Sequence, residues 1–192
     1  MTTTLKRGDN FVIIAKSDKL VTKKLDIVTR DVVKYLCEQG ITVSTAESCT
    51  GGILSSAITS VAGASKIFGL GVCSYWESIK TSVLSVDEKI ISQYGVVSAR
   101  TASAMAQGVR KLGGADIGVG ITGIAGPTGA EEGKPVGTVF VSVTGFGKEI
   151  TRDLRLYEKL TEPDRETVRI EAAAQAMLMI AELVGYKPSE VI

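Results

Sequence analysis

The most restrictive stretch of the sequence runs from Ile41 to Val61. Ile41 to Val43 closes an apolar, β-branched segment with the character of a strand. After Gly51 the apolar residues Ile53, Leu54, Ala57, Ile58 and Val61 recur at helical spacing. Between the two lie hydroxyls, a thiol, the Glu47 carboxylate and the pair Gly51-Gly52. A strand that turns through glycines straight into a helix is the building unit of an open α/β sheet. Such a turn gathers main-chain N–H groups and the positive end of a helix dipole at one place. That place is the carboxyl end of a strand, where open α/β sheets carry their ligands. A plainer reading also fits, in which Ser48 or Thr50 serves only as the helix N-cap.

The remaining chain extends the alternation. Leu20, Leu25, Ile27, Val28, Val32, Leu36 and Cys37 predict a helix over about residues 20–39, stopped by Gly40. Gly63-Ala64-Ser65 ends the helix after Gly51, and Phe68 to Tyr75 reads as a second strand. Ser78 to Leu84 is a short helical or irregular segment carrying Lys80. Asp87 opens and Gly95 closes a short helix, and Ser98 caps the next, whose buried face is Ala102, Met105, Ala106 and Val109. Ala115 to Ile121 is a third strand, running into a loop too rich in Gly and Pro for regular structure. Val136 to Thr144 and Glu149 to Leu156 pair as a hairpin across Gly145-Phe146-Gly147, and Pro163 stands at the first turn of a final helix, Asp164 to Val184. This order predicts an α/β fold, a single-domain three-layer sandwich with a mixed β-sheet between helices. Residues 1–19 are expected to be an N-terminal arm or extension, with Phe11 to Ala15 as an edge strand or an arm on a neighbouring subunit, and residues 20–192 to be the domain.

Composition narrows the function. With 192 residues, 44% of them apolar and 22% charged, the chain suits one globular domain. A formal net charge of +1 without a basic stripe argues against a nucleic-acid binder. No apolar run reaches membrane-spanning length and the polar N-terminus leads into no signal sequence, so a cytoplasmic protein without a membrane partner is expected. Cys37, Cys49 and Cys73 form no CxxC pair, which fits reduced thiols rather than disulfides or zinc. The chain has no histidine. Ser-His-Asp and Cys-His catalysis are therefore excluded, and any general base is a lysine, a carboxylate, a tyrosine or part of the substrate.

Three segments end at loops suited to one cleft: 44–52, 74–80 and 122–137. The third holds five glycines from Gly123 to Gly137 and Lys134, which suits a phosphate or carboxylate, or else is simply a long turn. It is neither a Walker loop nor a dinucleotide fingerprint, since no GxxxxGK[ST] occurs and Gly118-Val119-Gly120 lies within a strand. Lys80 is the candidate base. A lysine near its ordinary pKa of roughly 10.4 is protonated at neutral pH, but desolvation lowers that value, as in enzymes that activate serine with lysine. Tyr75 and Trp76 supply bulk to dry the site, whereas Glu77 would keep Lys80 charged if the two paired.

Thr45-Ala46-Glu47-Ser48-Cys49-Thr50-Gly51-Gly52, Tyr75 with Lys80 five residues on, and Gly95-Val96-Val97-Ser98 closely resemble the CinA carboxy-terminal-domain family. So do Thr122-Gly123-Ile124-Ala125-Gly126-Pro127 and Lys134-Pro135-Val136-Gly137-Thr138-Val139, over about residues 20–185. The resemblance implies nicotinamide mononucleotide deamidation, releasing nicotinic acid mononucleotide and ammonia in pyridine nucleotide recycling, with no cofactor or metal. It implies Ser48 as nucleophile, Lys80 as base and Tyr75 as an orienting or relaying group. Thr45, Glu47, Cys49, Thr50, Gly51 and Gly52 belong to the implied substrate site, together with Thr122, Gly123, Gly126 and Lys134 around ribose phosphate and ring, and Arg165 near the phosphate. Main-chain N–H groups from Cys49 to Gly51 are the expected oxyanion donors. The amino-terminal domain of longer CinA proteins is expected to be absent. Glu77 stands where the family often has Asn, and the loop has fewer consecutive glycines, so a non-catalytic paralogue is an alternative. So is a Cys49-dependent amidohydrolase, because a thiol at a helix N-terminus ordinarily has a lowered pKa. Small-residue helix faces such as Ala102-Ser103-Ala104 suit a homo-oligomer.

Overall fold

The computed structural model describes residues 18–161 and 163–189. Most of the expected N-terminal arm, including Phe11 to Ala15, lies outside the described residues. Helix α1 spans Asp18–Gln39, followed by strand β1, Val43–Glu47, and α2, Ile53–Thr59. A single 3-10 turn at Ala64–Lys66 leads into β2, Phe68–Cys73. Three helices follow: α3, Glu77–Leu84; α4, Glu88–Tyr94; and α5, Ala99–Gly113. Strands β3, Ile117–Gly123, β4, Val139–Gly145, and β5, Lys148–Asp153, precede the four-residue α6, Leu156–Lys159, and α7, Arg165–Leu183.

The strands form one mixed sheet in the order β2-β1-β3-β4-β5. β1 is parallel to both neighbours, whereas β3–β4 and β4–β5 are antiparallel. The sheet is sandwiched as expected, with α1, α2 and α7 on one side and α5, flanked by α3 and α4, on the other. Every residue of β1 is buried, because it is an inner strand covered on both faces. Its alternate side chains divide between two cores: Val43 joins the large cluster with α1 and α7, and Ala46 the smaller one with Leu84, Met105 and Val109.

Expected boundaries hold to within a few residues, with instructive differences. Asp87 and Ser98 cap α4 and α5 through their side chains, as expected. Asp164 is the N-cap of α7 rather than its first residue, accepting a hydrogen bond from the Thr167 N–H at 2.9 Å. β3 runs two residues further than expected and takes in Thr122 and Gly123, because its antiparallel partner β4 pairs with both. Helix α6 has too few residues for a periodic signal.

β3 shows why its sequence alternates glycine with large aliphatics. Ile117, Val119 and Ile121 are buried in the large core. Gly118 and Gly120 lie under α5, where an added Cβ would strike the Ala106 and Ala102 carbonyls. The helix thereby packs directly on the strand's backbone. Gly120→Ala is expected to lower stability by about 1–3 kcal/mol through overpacking. Urea unfolding checks this, and an unchanged midpoint would show that α5 can shift freely.

Candidate active site

The chain leaves β1 through α2 on one face to reach β2, then crosses through α5 on the other face to reach β3. This change of side makes the carboxyl end of β1 a topological switch point, where side chains of three strands converge. Ser48 follows β1, its N–H donating to the Ile121 carbonyl of β3 at 3.0 Å. Ser74 follows β2, its N–H donating to the Glu47 carbonyl at 2.8 Å. Thr122 and Gly123 end β3. Ser48, Thr122 and Gly123, together with Cys49, Tyr75, Trp76 and Lys80, line a cleft of about 540 Å3.

Glu47 sets the pose of the turn. Its buried carboxylate accepts the N–H groups of Gly52 at 3.0 Å, Leu54 at 3.1 Å and Ser55 at 2.8 Å, and the Ser55 hydroxyl at 2.6 Å. It therefore caps α2 from the preceding strand, while the N-cap residue Gly52 (φ 95°) contributes no side chain. Neither Ser48 nor Thr50 caps the helix, so the plainer reading of this turn does not hold. One expectation is corrected: Glu47 is occupied inside the fold rather than offered to a ligand. Thr45 is also fully buried, hydrogen-bonded with Ser55 Oγ at 2.8 Å beneath the turn, and so is no ligand group.

With capping delegated to Glu47, the Ser48 hydroxyl is left to Lys80. The Lys80 side chain is 1% exposed, and its Nζ lies 3.2 Å from Ser48 Oγ. Nζ also donates to the Ser74 carbonyl at 2.5 Å and the Tyr75 carbonyl at 3.5 Å. Burial pushes the Lys80 pKa below the ordinary lysine value, against smaller opposing effects of Cys49 and Glu77. Glu77 is exposed and not within ion-pair distance of Lys80, so the feared pairing does not form. The Cys49 thiol is buried and pushed up to about 12, chiefly by desolvation. At neutral pH it is thus uncharged, and has no charge with which to hold Lys80 protonated. This overturns the expectation of a lowered thiol pKa at this turn: burial outweighs the helix terminus.

The expected oxyanion donors are also revised. The Gly51 N–H is committed to the Ser48 carbonyl at 3.0 Å, leaving Thr50 and Cys49 as the N–H groups of the turn not bonded to a carbonyl among the described residues, that of Cys49 facing its own thiol.

Tyr75 and Trp76 are 56% and 72% exposed, so they form the rim rather than a dry lid. The Tyr75 hydroxyl accepts from Arg165 Nη2 at 3.0 Å and points to that guanidinium, not to Ser48 or Lys80. Arg165 also donates to the Gly126 carbonyl at 2.7 Å, joining the glycine-rich loop to the rim. Thr122 Oγ1 donates to the Val96 carbonyl at 2.8 Å. Lys134 does not line the cleft but reaches toward Gly95, 4.0 Å from Glu131. Sequence reasoning missed Ser74, whose carbonyl anchors Lys80, and Arg169, which donates to the Thr50 carbonyl at 2.9 Å. Arg169 follows Arg165 by one helical turn, a same-face spacing visible in the sequence.

A family model for the CinA C-terminal domain matches residues 25–184. The chain belongs to this family. It is 44% identical over 146 residues to a CinA-like protein of Kosmotoga olearia, covering 76% of this chain and 34% of that one. Against a CinA-like protein of Anaeromyxobacter sp. it is 44% identical over 149 residues, covering 78% and 35%. The chain thus spans about a third of the length of these curated relatives. The competence/damage inducible protein CihA from Agrobacterium tumefaciens superposes with a TM-score of 0.79 at 31% identity, over 84% of this chain and 96% of that one. A CinA superfamily protein from Escherichia coli gives 0.77 at 30% identity, over 91% and 95%. Among the described residues no helix is long and apolar enough to cross a membrane, and no cluster of acidic and thiol side chains suits a metal ion.

The capping role of Glu47 has a direct test. Glu47→Gln replaces one accepting oxygen by an amide that opposes the helix N–H groups. It is expected to cost about 1–3 kcal/mol of stability for the unsatisfied buried donors. Chemical denaturation checks this, and wild-type stability would show the carboxylate to be dispensable.

Proposed function

We propose that this CinA-family domain hydrolyses the carboxamide of nicotinamide mononucleotide to nicotinic acid mononucleotide and ammonia, in pyridine nucleotide recycling. The 3.2 Å contact between a serine hydroxyl and a buried lysine amine carries the reading. Lys80, neutral, takes the Ser48 proton as Oγ bonds to the amide carbon. The oxyanion is stabilised by the N–H groups of Cys49 and Thr50. Collapse breaks the C–N bond, and Lys80 returns the proton to departing ammonia. Water, deprotonated by Lys80, then cleaves the acyl ester and frees Ser48.

The remaining positions are assigned around the nucleotide. Arg165 attracts its phosphate, while Lys134 is turned away from the cleft; Thr122, Gly123 and Gly126 border the ribose and ring. Tyr75, whose hydroxyl is held by Arg165, orients the substrate at the rim. A cytoplasmic location and a homo-oligomeric state belong to the same proposal.

The experiment is an ammonia-release assay on nicotinamide mononucleotide. Ser48→Ala and Lys80→Met are expected to lose at least about a thousandfold in kcat, while Cys49→Ala keeps activity within about tenfold. Loss in the cysteine variant alone would transfer the nucleophile to Cys49. Nucleotide binding by calorimetry without turnover would make the domain a binding module.

A further inference from the structure

Arg169 has no place in the chemistry described above, yet it reaches the turn that carries Ser48. Its Nη2 donates to the Thr50 carbonyl at 2.9 Å, and a Cβ on Gly51 would lie 3.1 Å from that nitrogen. Gly51 lacks the side chain that would crowd the guanidinium, and its φ of +58° suits glycine. Arg169 Nε is buried without a partner among the described residues, so the side chain is drawn to this position at a cost in solvation.

The bond from Arg169 begins a connected chain of dipoles. The Thr50 carbonyl and Gly51 N–H belong to one peptide unit. That N–H donates to the Ser48 carbonyl at 3.0 Å, and the Ser48 carbonyl shares its peptide unit with the Cys49 N–H. A cation at one end pulls electron density through each unit in turn, and hydrogen bonds in series strengthen one another in a low-dielectric setting. The terminal Cys49 N–H becomes a better donor, and Cys49 lines the cleft beside Ser48.

We propose that Arg169 is a positioning residue for the oxyanion site, acting through the Thr50–Gly51 and Ser48–Cys49 peptides to fix and polarise the Cys49 N–H. The proposal rests on the Ser48 acyl-transfer reading but not on the identity of the substrate. It makes α7 a part of the catalytic framework, although Arg169 touches no reacting atom.

Two readouts test it with the full chain. One is kcat and KM for nicotinamide mononucleotide. The other is Ser48 labelling by a small alkyl fluorophosphonate, followed by mass spectrometry of the Ser48 peptide. In that reaction the Ser48 Oγ–P bond forms, the P–F bond breaks, fluoride leaves, the serine proton passes to Lys80, and the phosphoryl oxygen occupies the oxyanion site. Loss of a direct oxyanion donor costs a hundredfold or more, so Arg169→Met, acting at a remove, is expected to slow both kcat and labelling by about tenfold. KM stays within about twofold. Arg169→Lys restores part of both rates, because it keeps the charge. If the methionine variant does not fold, Arg169→Gln, which keeps a donor without the charge, decides the same point. Unchanged kcat and labelling, or a loss confined to KM, would overturn the proposal. A wild type that labels at Ser48 but does not hydrolyse the nucleotide, with slowed labelling in the variants, would remove the substrate reading and leave this one standing. A wild type that does neither would remove both.

Discussion

The contact between the Lys80 amine and the Ser48 hydroxyl is the constraint around which the site is arranged. An ammonium in this position would be poorly solvated, since Lys80 is almost fully buried. Two carbonyls of the segment after β2 hold Nζ, and the amine lies across the strand boundary from the end of β1. The parallel pairing of β1 with β2 makes this possible, because both carboxyl ends open on the same side. Helix α3 then starts at once, placing Lys80 in its first turn and Leu84 one turn later, the two buried residues of that short helix. Leu84 packs in the core with Met105 and Val109, so the apolar anchor of α3 fixes the height of its polar one.

The opposite side of the turn is held by charge rather than by packing. Glu47 gathers the first N–H groups of α2, and Arg169 takes the Thr50 carbonyl between them. A carboxylate thus holds the donors of the turn and a guanidinium an acceptor. The arrangement suits a loop that has to keep its geometry while a substrate charge develops next to it. Helix α7 supplies both arginines from successive turns, one to the turn and one to the rim. It is otherwise rich in buried alanine and is joined to α1 by the buried Lys24–Glu171 pair at 2.6 Å. Small side chains let it lie close to its neighbours, so its arginines project from a firm support.

The amino-acid sequence discloses the architecture well because its signals are local. The β-branched run before Gly51, the glycines in β3 and the caps Asp87 and Ser98 each act within a few residues. The pairing of Ser48 with Lys80 was legible too, through motif resemblance and the absence of histidine. What escaped the sequence depends on direction and burial. Nothing local tells that Glu47 turns inward to cap the helix that follows the turn, or that the Cys49 thiol is enclosed. Side chains alternate along a strand, but which face lies over α2 is decided by tertiary packing. The anchoring carbonyl of Ser74 is a main-chain group and has no residue signature at all. Arg169 was the one missed group with a signal, its spacing from Arg165.

The most direct test of the account is the protonation of Lys80 in the folded protein. Lysine labelled with 13C at Cε reports the charge of each amine by NMR, and Lys80→Met assigns the resonance. Burial predicts that Lys80 titrates below the ordinary lysine range, with the proposed hydrolysis rising with pH as the amine loses its proton. Titration at the ordinary value of roughly 10.4 would contradict the account, because the amine would then be charged at neutral pH and unable to accept the serine proton.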